Sequence, residues 1–243
     1  MRNPREGVIS RAMPLSIIGV DADDTLWHTE TVFRLTHKRF NELLGDFADE
    51  GTLEAKLSAV ERENMKTYGY GAKGFTLSML QTALEVSDGN VSTKVIQELL
   101  AAGREMMTHP IEPLPGVEEA LKSLAERGRL VVITKGDLFH QESKLAASGL
   151  GSYFSGVEIV SEKTPEIYTR AFARHGGAAE TSLMTGNSVK SDILPMLQAG
   201  GYAALIPYPL VWEHERADKP SEHPRFREVE TLAQLPAWLD EIG

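Results

Sequence analysis

The sequence predicts an α/β fold in which a parallel sheet flanked by helices is interrupted once by an all-helical module. Three observations carry that expectation. The β-branched run Leu15-Ser-Ile-Ile-Gly-Val20 stops abruptly at Asp21-Ala-Asp-Asp-Thr25, as a buried strand does when it delivers carboxylates at its carboxyl end. From Thr29 to Pro110 apolar residues recur at helical spacing with no strand pattern among them. Beyond the prolines that follow, short apolar runs alternate with amphipathic stretches, the rhythm of successive βα units.

Composition bounds the chemistry. The 243 residues hold 35 Asp plus Glu against 25 Lys plus Arg, a formal net charge of -10, and no Cys. Such a length buries a sizeable core, while the missing Cys excludes disulfides, thiolate metal sites and thiol catalysis. The negative balance opposes nucleic acid polymers and anionic membrane surfaces and favours metal cations. No apolar run approaches the ~20 residues that span a bilayer. Met1 to Pro14 carries Arg2, Arg5 and Arg11 but lacks the apolar centre of a secretory signal, so it reads as a loose leader and the protein as soluble and cytoplasmic.

The elements follow in order. Leu15 to Val20 is the first strand. Val32, Phe33, Phe40 and Leu43 share one helical period, as do Leu53, Leu57 and Val60, then Leu77, Leu80 and Leu84, then Val91, Val95 and Leu99. Pro110, Pro113 and Pro115 end this texture, which places a helical module at 29–109 and a core at 1–28 plus 110–243. Val117 to Arg127 is an amphipathic helix closed by Gly128, and Leu130 to Ile133 a strand ending at Thr134-Lys-Gly136. A helix from Phe139 to Ser148, a strand from Val157 to Val160, and a helix from Pro165 to His175 continue the alternation, with Pro165 suited to a first turn. Ser182 to Thr185 is a strand, Gly186-Asn-Ser188 precedes another helix, and Tyr202 to Ile206 is a further strand. Pro207 to Pro224 reads as a polar connection, Arg216 to Arg227 as a charged loop, and Leu232 to Ile242 as the last helix.

The candidate chemistry lies at the strand ends, where ligands of open parallel sheets bind. Asp21 and Asp23 are two apart, so a regular strand would show both on one face. Paired acids suit a hard cation such as Mg2+ and a division of labour between nucleophile and proton donor; alone, they read equally as a capped turn. Thr134, with Lys135 and Gly136, can turn a hydroxyl and backbone N–H groups onto phosphate oxygens, or simply end a strand. Lys163 before Thr164-Pro165 is a point charge able to offset the carboxylates, or a solvated amine. Asn187 and Asp192 offer oxygen donors at a helix start, where Asn187 or Ser188 would also serve as a cap.

Taken in this order, Asp21-Ala-Asp-Asp-Thr-Leu26, Thr134 after a strand, Lys163 before Pro165, and Gly186-Asn-Ser-Val-Lys-Ser-Asp192 resemble the four motifs of the haloacid dehalogenase-like hydrolase superfamily. The resemblance spans Ile17 to Pro207 and includes Leu114-Pro-Gly-Val117 and Gln141-Glu-Ser-Lys-Leu145. It implies a HAD-like Rossmannoid core with an inserted C1-type helical cap. It further implies a phosphatase in which Asp21 forms an aspartyl-phosphate and Asp23 is the general acid and then base. By the same resemblance Thr134 holds phosphoryl oxygens, Lys163 pairs with Asp21, and Mg2+ sits on Asp21, the Asp23 backbone carbonyl, Asn187 and Asp192. Asp24, Thr25, Trp27, His28, Lys135 and Gly136 are the implied substrate-side residues, with Phe33 and Lys66 to Phe75 as further places where the cap selects the leaving group.

Two positions depart from the family pattern. Asp24 stands where a Gly is usual, and Asn187 where most such phosphatases have an acid. Asn187 motivates one rival reading, a catalytically weakened protein that binds a phosphometabolite. A 2-haloacid dehalogenase is the nearest enzymatic rival, and Asp23 argues against it because a departing halide needs no general acid. A phosphomutase shares the first half reaction. The expected partner is a small phosphorylated metabolite, and homo-oligomerisation is left open.

Overall fold

The computed structural model describes residues 15–242, and the expected loose leader at 1–14 lies outside them. A six-stranded, fully parallel sheet has the order β3-β2-β1-β4-β5-β6. Its strands are β1 (Ile17–Val20), β2 (Arg129–Lys135), β3 (Gly156–Val160), β4 (Ser182–Gly186), β5 (Tyr202–Leu205) and β6 (Phe226–Glu228). β1 is central and wholly buried, hydrogen-bonded to β2 on one side and β4 on the other. Successive residues point to opposite faces: Ile18, Val20, Leu130 and Val132 join one apolar cluster, while Ile17, Val131 and Ile133 join the other. That accounts for a continuous apolar run where a one-sided sheet would alternate.

Helices cover both faces. α5 (Val117–Ala125) and α9 (Leu235–Ile242) pack with the first cluster, whereas α7 (Pro165–Arg174) and α8 (Leu194–Gln198) pack with the second. α6 (Leu138–Ser148) follows β2, with Asp137 capping it through the His140 N–H at 2.9 Å.

Between β1 and β2 lie four helices, α1 (Glu30–Leu44), α2 (Glu50–Tyr68), α3 (Ala72–Val86) and α4 (Thr93–Thr108). They bury their own core of Phe40, Leu44, Leu53, Leu57, Phe75, Met79 and Leu99, each side chain contributing about 1.5–3 kcal/mol of apolar burial. Asp49 and Ser92 cap α2 and α4 through the N–H groups of Thr52 and Val95. Among the described residues no helix is long and apolar enough to cross a membrane.

Three local expectations change. The helix expected after Gly186-Asn-Ser188 opens as a π-helical turn, Val189–Ile193, before α8; Ser188 caps it, and Pro195, which has no N–H, sits in the first turn of the regular helix. The last helix splits into a 3-10 turn at Leu232–Gln234 and α9, where Pro236 again suits a first turn. Finally, the charged loop read at 216–227 ends in β6, whose Phe226 pairs with Ala203. A three-residue edge strand carrying two charges has too little apolar pattern to be read beforehand.

Candidate active site

β1 lies where the strand order switches direction, with β2 and β3 to one side and β4 to β6 on the other. Loops leaving the carboxyl ends of β1 and β4 therefore splay around a crevice. Asp21 continues the β1 ladder, its N–H donating to Thr185 O at 2.9 Å, and its side chain turns into that crevice. One carboxylate oxygen accepts from Lys163 Nζ at 2.5 Å, and the other accepts from Thr25 Oγ1 at 3.2 Å. The same ammonium donates to Asp192 Oδ1 at 2.6 Å, while Asp192 Oδ2 accepts from the Ser188 N–H at 2.9 Å.

Two buried acids thus share one buried ammonium. Burial works against the Lys163 cation, yet Asp192 and Asp21 outweigh it and hold its pKa above the ordinary lysine value. Burial pushes the Asp21 carboxyl up to about 7 against the pull of Lys163, and Asp192 adds to the rise. The cluster carries one more negative than positive charge, the condition a hard divalent cation relieves. Gly186, at the end of β4, makes the cluster possible: a Cβ there would lie 2.2 Å from Asp192 Oδ2 and 2.9 Å from Asp21 Cβ.

The donor set fits Mg2+. Asp21, Asp192, the Asp23 carbonyl and the Asn187 side-chain oxygen are all hard oxygens, and Asn187 and Asp192 line the cavity together. Among the described residues no group of three or more acids and imidazoles is arranged to hold a metal. Mg2+ commonly takes one or two carboxylates and completes its shell with water and phosphate oxygens, which agrees with an amide at position 187.

Asp23 lies in a different environment. Its Oδ1 accepts from Trp27 Nε1 at 2.8 Å, Thr29 Oγ1 at 2.8 Å and Lys144 Nζ at 2.5 Å, and its Oδ2 accepts from Gln141 Nε2 at 3.2 Å. Burial opposes ionisation, but Lys144 and the hydrogen bonds outweigh it and hold the carboxyl below its usual range. The structure therefore presents Asp23 as an ionised group whose donors weaken it as a base. The proton-donor role implied by the resemblance requires that this donor set first be loosened. Gln141 also donates to Thr134 Oγ1 at 2.8 Å, tying the hydroxyl at the end of β2 to the same network.

The other implied substrate-side residues divide. Gly136 lines the cavity with a φ of +139°, and a Cβ there would come within 3.1 Å of Gln141 Cγ. Lys135 also lines it, but donates to Glu215 Oε1 at 2.5 Å and Ser191 Oγ at 2.8 Å and lies 4.3 Å over the Tyr70 ring; its charge is already neutralised. Asp24 adopts φ +60° and accepts from the N–H groups of Thr29 at 2.8 Å and Glu30 at 3.1 Å. It borders the cavity, but its carboxylate starts α1, and burial raises its pKa to about 7. Thr25 buttresses Asp21. Trp27, expected on the substrate side, is 1% exposed in the apolar core, because its indole ring packs there while its N–H reaches Asp23. His28, also expected there, is exposed and off the cavity wall, with Nδ1 2.6 Å from Tyr208 Oη.

The cavity, about 170 Å³, opens between these strand ends and the helical insert. Phe33, Glu61, Tyr70 and Ala72 reach it from the insert, and Leu210, Trp212 and Glu215 from the connection after β5. Phe33 has its place on the helical period and also faces the cavity. Lys144 and Glu215 were not singled out from the sequence. The signal for Lys144 was its place in the Gln141-to-Leu145 motif, while the polar 207–224 stretch gave no periodic signal for Glu215.

A family model for a hydrolase, haloacid dehalogenase-like hydrolase, matches residues 15–200. The chain is similar to a haloacid dehalogenase-like family hydrolase from Xanthomonas campestris, with 39% identity over 94% of this chain and 92% of that one and a TM-score of 0.85. The hydrolase YfnB from Bacillus subtilis, solved bound to magnesium, shares 16% identity over 94% of this chain and all 100% of its own, with a TM-score of 0.66. An L-2-haloacid dehalogenase from Xanthobacter autotrophicus, solved with chloropropionic acid covalently bound, shares 14% over 94% and 100%, with a TM-score of 0.64. At those identities the last two show a common fold alone. No curated protein matches the chain in sequence.

Proposed function

Because the chain belongs to the haloacid dehalogenase-like hydrolase family, we propose that it is a Mg2+-dependent phosphomonoester hydrolase acting on a small phosphorylated metabolite through an aspartyl-phosphate on Asp21. One observation carries the reading. Asp21 and Asp192 meet at a single ammonium in an oxygen-lined crevice, an arrangement short of positive charge that a divalent cation would balance.

Asp21, Asp192, the Asp23 carbonyl and Asn187 would hold Mg2+, which would supply charge neutralisation and orientation for the phosphoryl group. Lys163 and Thr25 hold the Asp21 carboxylate in place. Its oxygen attacks phosphorus, forming an Asp21 O–P bond as the ester P–O bond breaks in line. The departing oxygen takes a proton from Asp23, which must first gain it as substrate displaces donors such as Gln141 or Lys144. Water then attacks phosphorus, passing its proton to Asp23, and the Asp21 O–P bond breaks to release phosphate. Thr134 Oγ1 and the Gly136 N–H face the equatorial oxygens.

A haloacid would need a cation for its own carboxylate. Among the described residues the cavity wall presents no arginine, and Lys135, Lys144 and Lys163 each already hold an acid. The test is phosphate release from sugar phosphates, aryl phosphates and phosphoglycolate with and without Mg2+. Release should require the metal and fall by at least about a thousandfold in Asp21→Asn. Metal-independent conversion of a haloacid with no phosphate released would overturn the proposal, and dominant isomer formation would reassign the chain as a mutase.

A further inference from the structure

The helical insert sends into the cavity one carboxylate that nothing in the described part of the molecule satisfies. Glu61, on α2, is 8% exposed and lines the cavity. Its one charged neighbour is Glu30, another acid, and it makes no hydrogen bond or ion pair among the described residues. The remaining acids of the wall are matched. Lys163 holds Asp21 and Asp192, Lys144 holds Asp23, and Lys135 holds Glu215. Asp24 takes two backbone N–H groups, and Glu30 lies 3.7 Å from Arg34. A carboxylate buried without a partner is costly, so Glu61 is explained by a partner that arrives with the ligand.

The surroundings define that partner. A neutral hydroxyl would give Glu61 one hydrogen bond but no charge partner, while a carboxylate would meet two further acids. An ammonium would pair with Glu61 beside Glu30, and the aromatic rings of Phe33 and Trp212 on the same wall favour a cation. The cavity of about 170 Å³ is well below the roughly 300–1,000 Å³ of pockets for drug-sized ligands, which confines the organic group to a short one.

Resting on the phosphatase reading above, we infer that Glu61, supported by Glu30, selects the leaving group by its cationic amine, so that the substrates are phosphomonoesters of short amino alcohols.

The test uses the full chain. Calorimetric binding to the Asp21→Asn protein, with Mg2+ present, compares O-phosphoethanolamine, its amine-free counterpart propyl phosphate, and phosphoglycolate. The amine should bind at least about tenfold more tightly than propyl phosphate, and phosphoglycolate most weakly. Adding Glu61→Gln should shrink the amine's advantage to under about threefold, and the ratio of kcat/KM values in the otherwise native enzyme should follow. Equal binding of the amine and propyl phosphate, or an advantage untouched by Glu61→Gln, would overturn the inference. Should the double variant fail to fold, the native preference decides by itself. Asp21-dependent hydrolysis of an aryl phosphate without amine preference would sink this inference and leave the phosphatase intact. Glu61-dependent amine binding without turnover of any phosphate ester would sustain the amine subsite and sink the phosphatase.

Discussion

Replacing Lys163 with Met removes the one cation between two buried acids and little else, since Met fills nearly the same volume. Lys163 Nζ lies 2.5 Å from Asp21 Oδ1 and 2.6 Å from Asp192 Oδ1, and the three side chains are only 2%, 9% and 1% exposed. Solvent screening is therefore slight. Removing one member of a buried pair costs about 3–5 kcal/mol, because the charge left behind has neither water nor partner. For a chain of this size that is about 6–20 °C in melting temperature, at roughly 2–4 °C per kcal/mol. The assay is urea and thermal unfolding of both proteins in chelator near pH 8, near pH 5, and with Mg2+. The deficit should shrink near pH 5, where a carboxyl can take up a proton, and Mg2+ should stabilise the variant more than the native chain, because it supplies the missing charge. A deficit below about 1 kcal/mol near pH 8, or one unchanged by both acid and Mg2+, would refute the shared-ammonium account.

The remaining expectations concern the same crevice. Gly186→Ala puts a methyl group 2.2 Å from Asp192 Oδ2, so it should cost about 1–3 kcal/mol as overpacking, and Mg2+ affinity measured by calorimetry should fall; unchanged affinity would mean that Asp192 is no ligand. In the metal-free protein, Asp21, Asp24 and Glu61 are each raised to about 7. Between about pH 4 and 7 each therefore holds a proton in the native state that it has lost in the unfolded chain. The contribution of Glu61 to stability in chelator should fall as pH rises through that window, read as the difference between the native protein and Glu61→Gln in a denaturation series, and a difference that grows with pH would contradict the burial of this acid.

Legibility in the sequence followed distance along the chain. The β1 strand, its acids, Thr134 and the Lys163-Thr-Pro165 step were readable because each depends on a few neighbouring residues. The partners of Asp23 were not. Gln141 and Lys144 lie 118 and 121 residues away from it, and their approach depends on α6 packing beside the β1 loop. Trp27 and His28 follow one another, yet one enters the core and the other faces solvent; the irregular turn after Asp24 offers no period from which to tell them apart. The connection after β5 gave no sign that Trp212 and Glu215 would lie over the crevice.

The parallel sheet, the helical insert and the order in which acid, hydroxyl, lysine and acid arrive at the strand ends are all legible along the chain. These follow from apolar periodicity and from residues adjacent in the chain. Only the packing sets which charge meets which, so that Asp21 and Asp192 share Lys163, Lys144 holds Asp23 ionised, Lys135 pairs with Glu215, and Glu61 has no cation among the described residues. The reason is electrostatic. Ion pairing and desolvation act over a few ångströms and depend on burial, and neither quantity exists until distant segments have packed together.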